Sequence, residues 1–195
     1  VKDPESLIKH YNGDSNYDWY GRAILYHRMG DMQNALKNIN FLITEFSDNR
    51  YFIETKAQFY YENGNAEKAL EFYQLTNQMA PKDVLVKIQI AESIISLERN
   101  DLYPRAIEEL NEAILLEYDN VIAWNKLSLL YKRQNQDALS NLALAEAKYY
   151  SGSYDKAISL ADSAIEKFEK LEDQELNINR AKEIIEFSNR KIKNN

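Results

Sequence analysis

Two histidines, His10 and His27, have the widest chemical reach in this chain, since an imidazole can carry a proton near neutral pH or ligate a metal. Neither stands at metal-ligand spacing from the other or from a nearby carboxylate. There is no HExxH run, no Cys/His cluster and no EF-hand loop. Cysteine is absent, which excludes disulfides, thiolate catalysis and thiolate metal sites. That absence suits the cytosol and an oxidising compartment equally. Serines and aspartates are common, but none has the context of a nucleophile elbow. The glycines are scattered and form no phosphate loop. Carboxylate pairs such as Glu108-Glu109 read as a solvated helix face rather than an acid/base couple. The sequence thus offers no catalytic residue, metal ligand or cofactor-binding residue, and His27 reads as a polar contact on a helix surface.

Side chains without chemistry of their own direct attention to what positions them. Apolar residues make up 45 % of the chain and charged residues 28 %, which fits a folded protein and not a disordered one. The net charge of −7 argues against nucleic acid or an anionic lipid surface as partner. No apolar run approaches the roughly 20 residues of a membrane helix. The first residue is Val1, so the chain reads as part of a longer protein whose targeting signal would lie elsewhere.

The organising feature is a repeat. At an offset of 34 residues Ala23 meets Ala57, Tyr26 meets Tyr60, Gly30 meets Gly64, Ala35 meets Ala69 and Ser47 meets Pro81. This is the tetratricopeptide period. Small residues mark where two helices cross closely, and Gly30 and Gly64 mark a left-handed end to the first helix of each pair. A third unit carries Ala91 and Ala106 with three extra residues in its turn, and Pro104 suits the first turn of the next helix. In a fourth, Trp124, Ser128 and Tyr131 hold the expected places, and Gly152 then arrives half a period early. Helix 137–150 is therefore predicted to serve twice, closing the fourth unit and opening a fifth with Ala145 and Ala157 as its small pair. The predicted fold is all-α: a right-handed tetratricopeptide superhelix of about ten antiparallel helices with a C-terminal capping helix. Its repeats fall at about 16–49, 50–83, 84–120, 121–151 and 138–170, within a solenoid of residues 15–195. Residues 1–14 read as a linker or short helix from an upstream domain. The cap is predicted at 173–192, with Leu176, Ala181, Ile184, Ile185 and Ile192 as its buried stripe.

The first helix of each unit is expected to line a concave groove for a protein or peptide. The candidate contacts are Tyr17, Tyr20, His27 and Arg28 from the first unit, Tyr51, Glu54, Gln58 and Tyr61 from the second, Ile88 and Glu92 from the third, and Asn125, Lys132 and Arg133 from the fourth. Such a groove would be aromatic at one end, apolar in the middle and basic at the other. The Lys, Asn and Arg set with which tetratricopeptide chaperone adaptors clamp a terminal carboxylate is missing. Its places hold residues such as Tyr17, Tyr20, Ile24, Glu54, Thr55 and Gln58.

The order of features carries a closer resemblance. The runs YGRAILYHRMGDMQNALKNINFLITEFSDNRYF, ENGNAEKALEFYQLTNQMAP and AWNKLSLLYKRQNQDALSNLALAEAKYYSGSYDKAI resemble the C-terminal repeat domain of periplasmic BepA-like (YfgC-like) zinc metalloproteases, in particular alphaproteobacterial ones. The insertion before AIEELNEAILLEYDN is similar too, and the resemblance spans about residues 15 to 188. It implies a periplasmic parent with an HExxH protease domain that holds zinc, acting on misassembled outer-membrane proteins. This chain would then recruit substrates, and its partners would include its own protease domain and the outer-membrane assembly machinery. No zinc-site residue lies in this chain. The alternative is a stand-alone tetratricopeptide scaffold or adaptor, with a cytoplasmic location.

Overall fold

The computed structural model describes residues 4–194, all of whose regular structure is helical. Contacts gather into two compact units, Val1–Leu97 and Glu98–Asn195. The first holds α1 (Pro4–Ile8), α2 (Asn16–Arg28), α3 (Met32–Glu45), α4 (Arg50–Glu62), α5 (Ala66–Met79) and α6 (Val84–Leu97). The second opens with a 3₁₀ turn, Asn100–Leu102, and continues with α7 (Tyr103–Leu116), α8 (Val121–Arg133), α9 (Asp137–Tyr150), α10 (Tyr154–Phe168) and α11 (Glu175–Lys193). The fold is all-α, built of antiparallel helix pairs of the tetratricopeptide class.

The helix starts carry the repeat as clearly as the small residues do. Ser15, Asn49 and Asp83 accept a backbone N–H at the entries to α2, α4 and α6, each 34 residues after the last. Asp31 and Asn65 do the same for α3 and α5. The residue type changes while the oxygen acceptor stays, because any of these side chains can satisfy an orphan N–H, at about 1 kcal/mol each. Ser15 and Asp18 complete a reciprocal capping box.

Helix ends repeat in the same way. Gly30 and Gly64 have φ of 78° and 77°, with open space where a Cβ would stand, so their requirement is one of backbone alone. The next two first-helix ends place Glu98 (φ 53°) and Asn135 (φ 58°) in the same left-handed region without glycine.

Packing in Val1–Leu97 follows the small positions. Ala23, Ala35, Ala57 and Ala69 are fully buried, and Ile39, Leu42, Phe59 and Tyr73 fill the space between the helices. The segment after α1 is tied to α2. Tyr11 covers Gly21 so closely that a Cβ there would meet its ring at 2.2 Å, and Arg22 donates to the carbonyls of Tyr11 and Gly13.

In Glu98–Asn195, Pro104 lies in the first turn of α7. Helix α9 packs against α8, α10 and α11, which gives it the double role predicted from the early glycine. Alanines at 145, 157, 161, 164 and 181 are fully buried around Phe168 and Ile184. The predicted stripe of α11 needs correction. Ala181 and Ile184 are buried, but Leu176 and Ile192 are exposed, and Ser188 supplies the next buried position. The inward face follows the 181–184–188 helical spacing, which a count of apolar residues overlooks.

Candidate functional site

In Val1–Leu97 the first helices α2, α4 and α6 share one face, and side chains stitch each to the next. Tyr20 shares a hydrogen bond of 3.4 Å with Thr55, whose own proton goes to the Tyr51 carbonyl, so the Tyr20 hydroxyl is the donor. The His27 ring stacks on Phe59 at 4.3 Å, and its Nδ1 stands 3.7 Å from Glu62. The hydroxyls of Tyr61 and Ser96 meet at 3.3 Å. Arg50 reaches Asp83 at 2.7 Å, lies over the Tyr51 ring at 4.4 Å and stands 3.8 Å from Glu54. The pairs Tyr20–Thr55, His27–Glu62, Tyr61–Ser96 and Arg50–Asp83 join residues 33 to 35 apart in the chain, one repeat on.

The fastening leaves a row outward. Tyr17, Tyr51 and Leu85 hold the same place in α2, α4 and α6, and their exposures are 69 %, 62 % and 56 %. Tyr17 and Tyr51 are nonetheless held, Tyr17 by the Tyr11 ring at 5.3 Å and Tyr51 by Arg50. Restrained, exposed aromatic rings offer contact area at small entropic cost.

The electrostatics of this face are set by carboxylates. Burial first, and the charge of Asp83 second, push the Glu54 carboxyl above its ordinary value despite Arg50. Glu62 accepts from the Gln58 amide at 2.7 Å and keeps half of its side chain exposed. Burial, then the charges of Glu54, Glu92 and Glu62, raise the buried Tyr73 hydroxyl. Three carboxylates thus act on one point beneath the face.

The predicted contacts therefore divide. Tyr17 and Tyr51 are open, Arg28 and Gln58 are exposed, and Glu54, Glu92 and Tyr61 are half-buried. His27 is mostly consumed by the stack on Phe59, which its sequence neighbours could not reveal. Ile88 corrects the expectation: at 4 % exposure it belongs to the core of its unit and offers nothing to a ligand.

In Glu98–Asn195 the predicted contacts are engaged internally. Asn125 donates to the Val121 carbonyl of its own helix, Lys132 pairs with Asp137 at 2.7 Å, and Arg133 donates to the Tyr103 hydroxyl. The expected basic end is thereby offset at Lys132 by the carboxylate that opens the next helix. A cleft of about 200 Å³ lies instead among Tyr118, Trp124, Tyr131, Glu146 and Arg180. Glu146, at 1 % exposure, takes Arg180 through both oxygens, at 2.5 and 2.8 Å. Burial works against the Arg180 charge, but the Glu146 bond and charge outweigh it and hold the guanidinium above its ordinary value. Burial and then Glu146 push the neighbouring Tyr150 up to about 12. Glu146 and Arg180 are also one repeat apart, at 34 residues. Reading opposite charges at that offset would have returned them together with other pairs, such as Lys37 with Glu71 and Glu98 with Lys132.

Among the described residues no group of three His, Asp or Glu side chains could hold a metal ion, and no helix is long and apolar enough to cross a membrane.

No family model matches the chain, and no curated protein matches it in sequence. Solved structures are similar in fold. MamA, residues 41 to the end, from Desulfovibrio magneticus RS-1 aligns with a TM-score of 0.65 and 13 % identity over 89 % of this chain and 95 % of that one. YrrB, described as a TPR protein with an unusual peptide-binding site, aligns at 0.61 and 14 % over 94 % of this chain and 92 % of its own. TTC0263, a thermophilic TPR protein of Thermus thermophilus, aligns at 0.51 and 16 % over 86 % and 98 %. At such identities the likeness is one of tetratricopeptide fold.

Proposed function

We propose that this chain is a protein-interaction scaffold that holds an extended peptide on the face of α2, α4 and α6. One observation carries the reading. Polar and aromatic bridges fasten these helices to one another, while the large side chain at the same place in each helix, Tyr17, Tyr51 and Leu85, is left more than half exposed. A rigid face with repeated, restrained anchors suits a partner that crosses the helices in succession. The net charge of −7 supports a protein partner over nucleic acid.

Two settings suit such a scaffold. The sequence runs quoted above support a recruiting domain of a periplasmic zinc metalloprotease of the BepA-like kind, in outer-membrane protein quality control. Zinc and catalysis would then belong to a separate protease domain, and that domain and the outer-membrane assembly machinery would be further partners. The tetratricopeptide fold shared with MamA and YrrB supports a stand-alone scaffold or adaptor equally well. The mass and zinc content of the native full-length protein separate the two. About one tightly bound zinc on a much longer chain favours the first, and a zinc-free chain removes it.

The scaffold reading itself is tested by panning a random displayed-peptide library against this chain and against a Tyr17→Ala/Tyr51→Ala variant. Sequences enriched on the first and lost on the second support it. No enrichment, or enrichment equal on both, overturns it.

A further inference from the structure

The cleft of about 200 Å³ in Glu98–Asn195 has a size, a lining and a charge balance that together specify an occupant. Drug-sized ligands fill pockets of about 300–1,000 Å³, whereas an apolar cavity of about 150 Å³ takes benzene. The cleft therefore has room for one ring with a small substituent, and not for a stretch of peptide or a large cofactor.

Its floor is apolar: Leu127 and Ala143 are 2 % exposed and Leu142 is 8 % exposed. Its walls are the rings of Tyr118, Trp124 and Tyr131. Two of these rings are fixed in place within the chain. The Trp124 indole N–H donates to the Tyr118 carbonyl at 2.8 Å, and the two rings meet edge to face at 5.7 Å. The Arg180 guanidinium lies over the Tyr118 ring at 5.3 Å. Restrained walls lower the ordering cost of binding. Aromatic walls also favour another ring over an aliphatic group of the same size.

The charged groups in the lining are already spent on one another. Glu146 takes both of its short bonds from Arg180 and a third, at 3.4 Å, from the Tyr118 hydroxyl. Arg180 gives its remaining nitrogen to Glu183 at 2.9 Å. A cation or anion entering the cleft would lose its water and meet no free opposite charge. Water gains little against the apolar floor, so a neutral ring displaces it at an advantage.

We infer that this cleft is a binding site for a single neutral aromatic ring of phenol size, separate from the face of α2, α4 and α6. A free aromatic compound and the tyrosine side chain of a partner chain bring the same chemistry to it.

The test is a titration of the full chain followed by proton–nitrogen NMR. The chain has two tryptophans, and the spectrum of a Trp19→Phe chain identifies the indole signal of Trp124. Added p-cresol is expected to shift the Trp124 signal and leave that of Trp19 in place, with a dissociation constant of about 1 mM or tighter. Its saturated analogue, 4-methylcyclohexanol, should bind about threefold to tenfold more weakly. Benzoate and benzylamine should each bind at least about tenfold more weakly. Ala143→Leu fills the floor and should abolish the shift. Tyr131→Ala, which removes a wall and leaves the floor intact, should weaken binding at least about threefold and stands in where the first variant does not fold. Binding of N-acetyl-tyrosine amide as tight as that of p-cresol assigns the ring to a partner chain, and binding of p-cresol alone assigns it to a free compound. A Trp124 signal unmoved at about 10 mM p-cresol, equal affinity for either charged analogue, or an affinity unchanged in the variants overturns the inference. Binding of the amide without p-cresol overturns it too, because contacts outside the cleft would then carry the affinity.

Discussion

Val1–Leu97 and Glu98–Asn195 are made from the same helix pair, yet they use their polar side chains differently. In the first, the bridges between neighbouring first helices lie near the surface and are mostly neutral or weakly ionic, Tyr20 to Thr55, Tyr61 to Ser96 and His27 to Glu62, with Arg50 to Asp83 as the full ion pair. They recur at nearly one period and leave the same position open each time. In the second, the strongest bridge is ionic and deep. Glu146 is buried and receives the Arg180 guanidinium through two bonds, with the Tyr118 hydroxyl as a third donor. Its last three helices pack alanines at 145, 157, 161, 164 and 181 around Phe168 and Ile184, whereas the first unit fills the space between its helices with Ile39, Leu42, Phe59 and Tyr73. A regular repeat with shallow bridges produces a repeating surface. A broken repeat, half a period short at Gly152, uses a specific deep bridge to fix its terminal helix.

The largest test strikes the core that supports the regular face. Phe59→Ala is expected to cost about 4 kcal/mol in urea denaturation, because it opens a cavity and removes the ring on which His27 lies. A cost below about 1 kcal/mol would mean that the first unit is not organised around large side chains.

Next comes the deep bridge. Glu146→Ala is expected to cost about 3 kcal/mol by leaving a half-buried guanidinium without its carboxylate, whereas Glu146→Leu/Arg180→Met recovers most of that loss. Amide exchange in α11 should quicken in the single variant and slow again in the double. If the single variant is silent, α11 is held by Ala181, Ile184 and its other apolar contacts alone.

A smaller pair compares helix ends. Gly64→Ala should cost about 1 kcal/mol through backbone strain alone, since nothing crowds the added methyl. Glu98→Gly should stabilise by up to about 1 kcal/mol, because Glu98 already occupies the left-handed region. Thermal midpoints moving the opposite way would show that the two turns are not equivalent.

The smallest difference concerns acid. The carboxyl of Asp31 is held low by the Asn34 backbone N–H and side chain, and that of Asp137 by the hydrogen bond and charge of Lys132. Both groups are depressed in the folded state. Their contribution is therefore present above the ordinary carboxylate value and lost as pH falls through the lowered one. An NMR titration in low salt and in about 0.5 M salt should move Asp137 back toward its ordinary value while Asp31 stays put, since salt screens an ion pair and not a cap. Equal shifts would place both in the same class of contact.

Much of this fold was legible in one dimension because a repeat states each requirement several times. The buried alanines, the glycine ends at Gly30 and Gly64, Pro104 in a first turn and the double duty of α9 all follow from the 34-residue comparison. The candidate site was legible only in outline. Tyr17 and Tyr51 are open, as their helix positions suggest, but Ile88, at the equivalent place to Tyr20 and Glu54, turns out to be buried. A helical register gives the direction of a side chain and not how closely the next helix covers it.

By itself, then, the sequence determined which segments are helices and where small residues let them cross. Those are properties of local propensity and periodicity, which neighbouring residues fix. Only the tertiary structure decided which polar side chains are consumed in bridges and which remain open. His27 lost its freedom to Phe59 and Glu62, Lys132 to Asp137, and Arg180 to Glu146. Each partnership depends on distances between helices, set by how closely their cores pack, and a spacing rule carries no such distance.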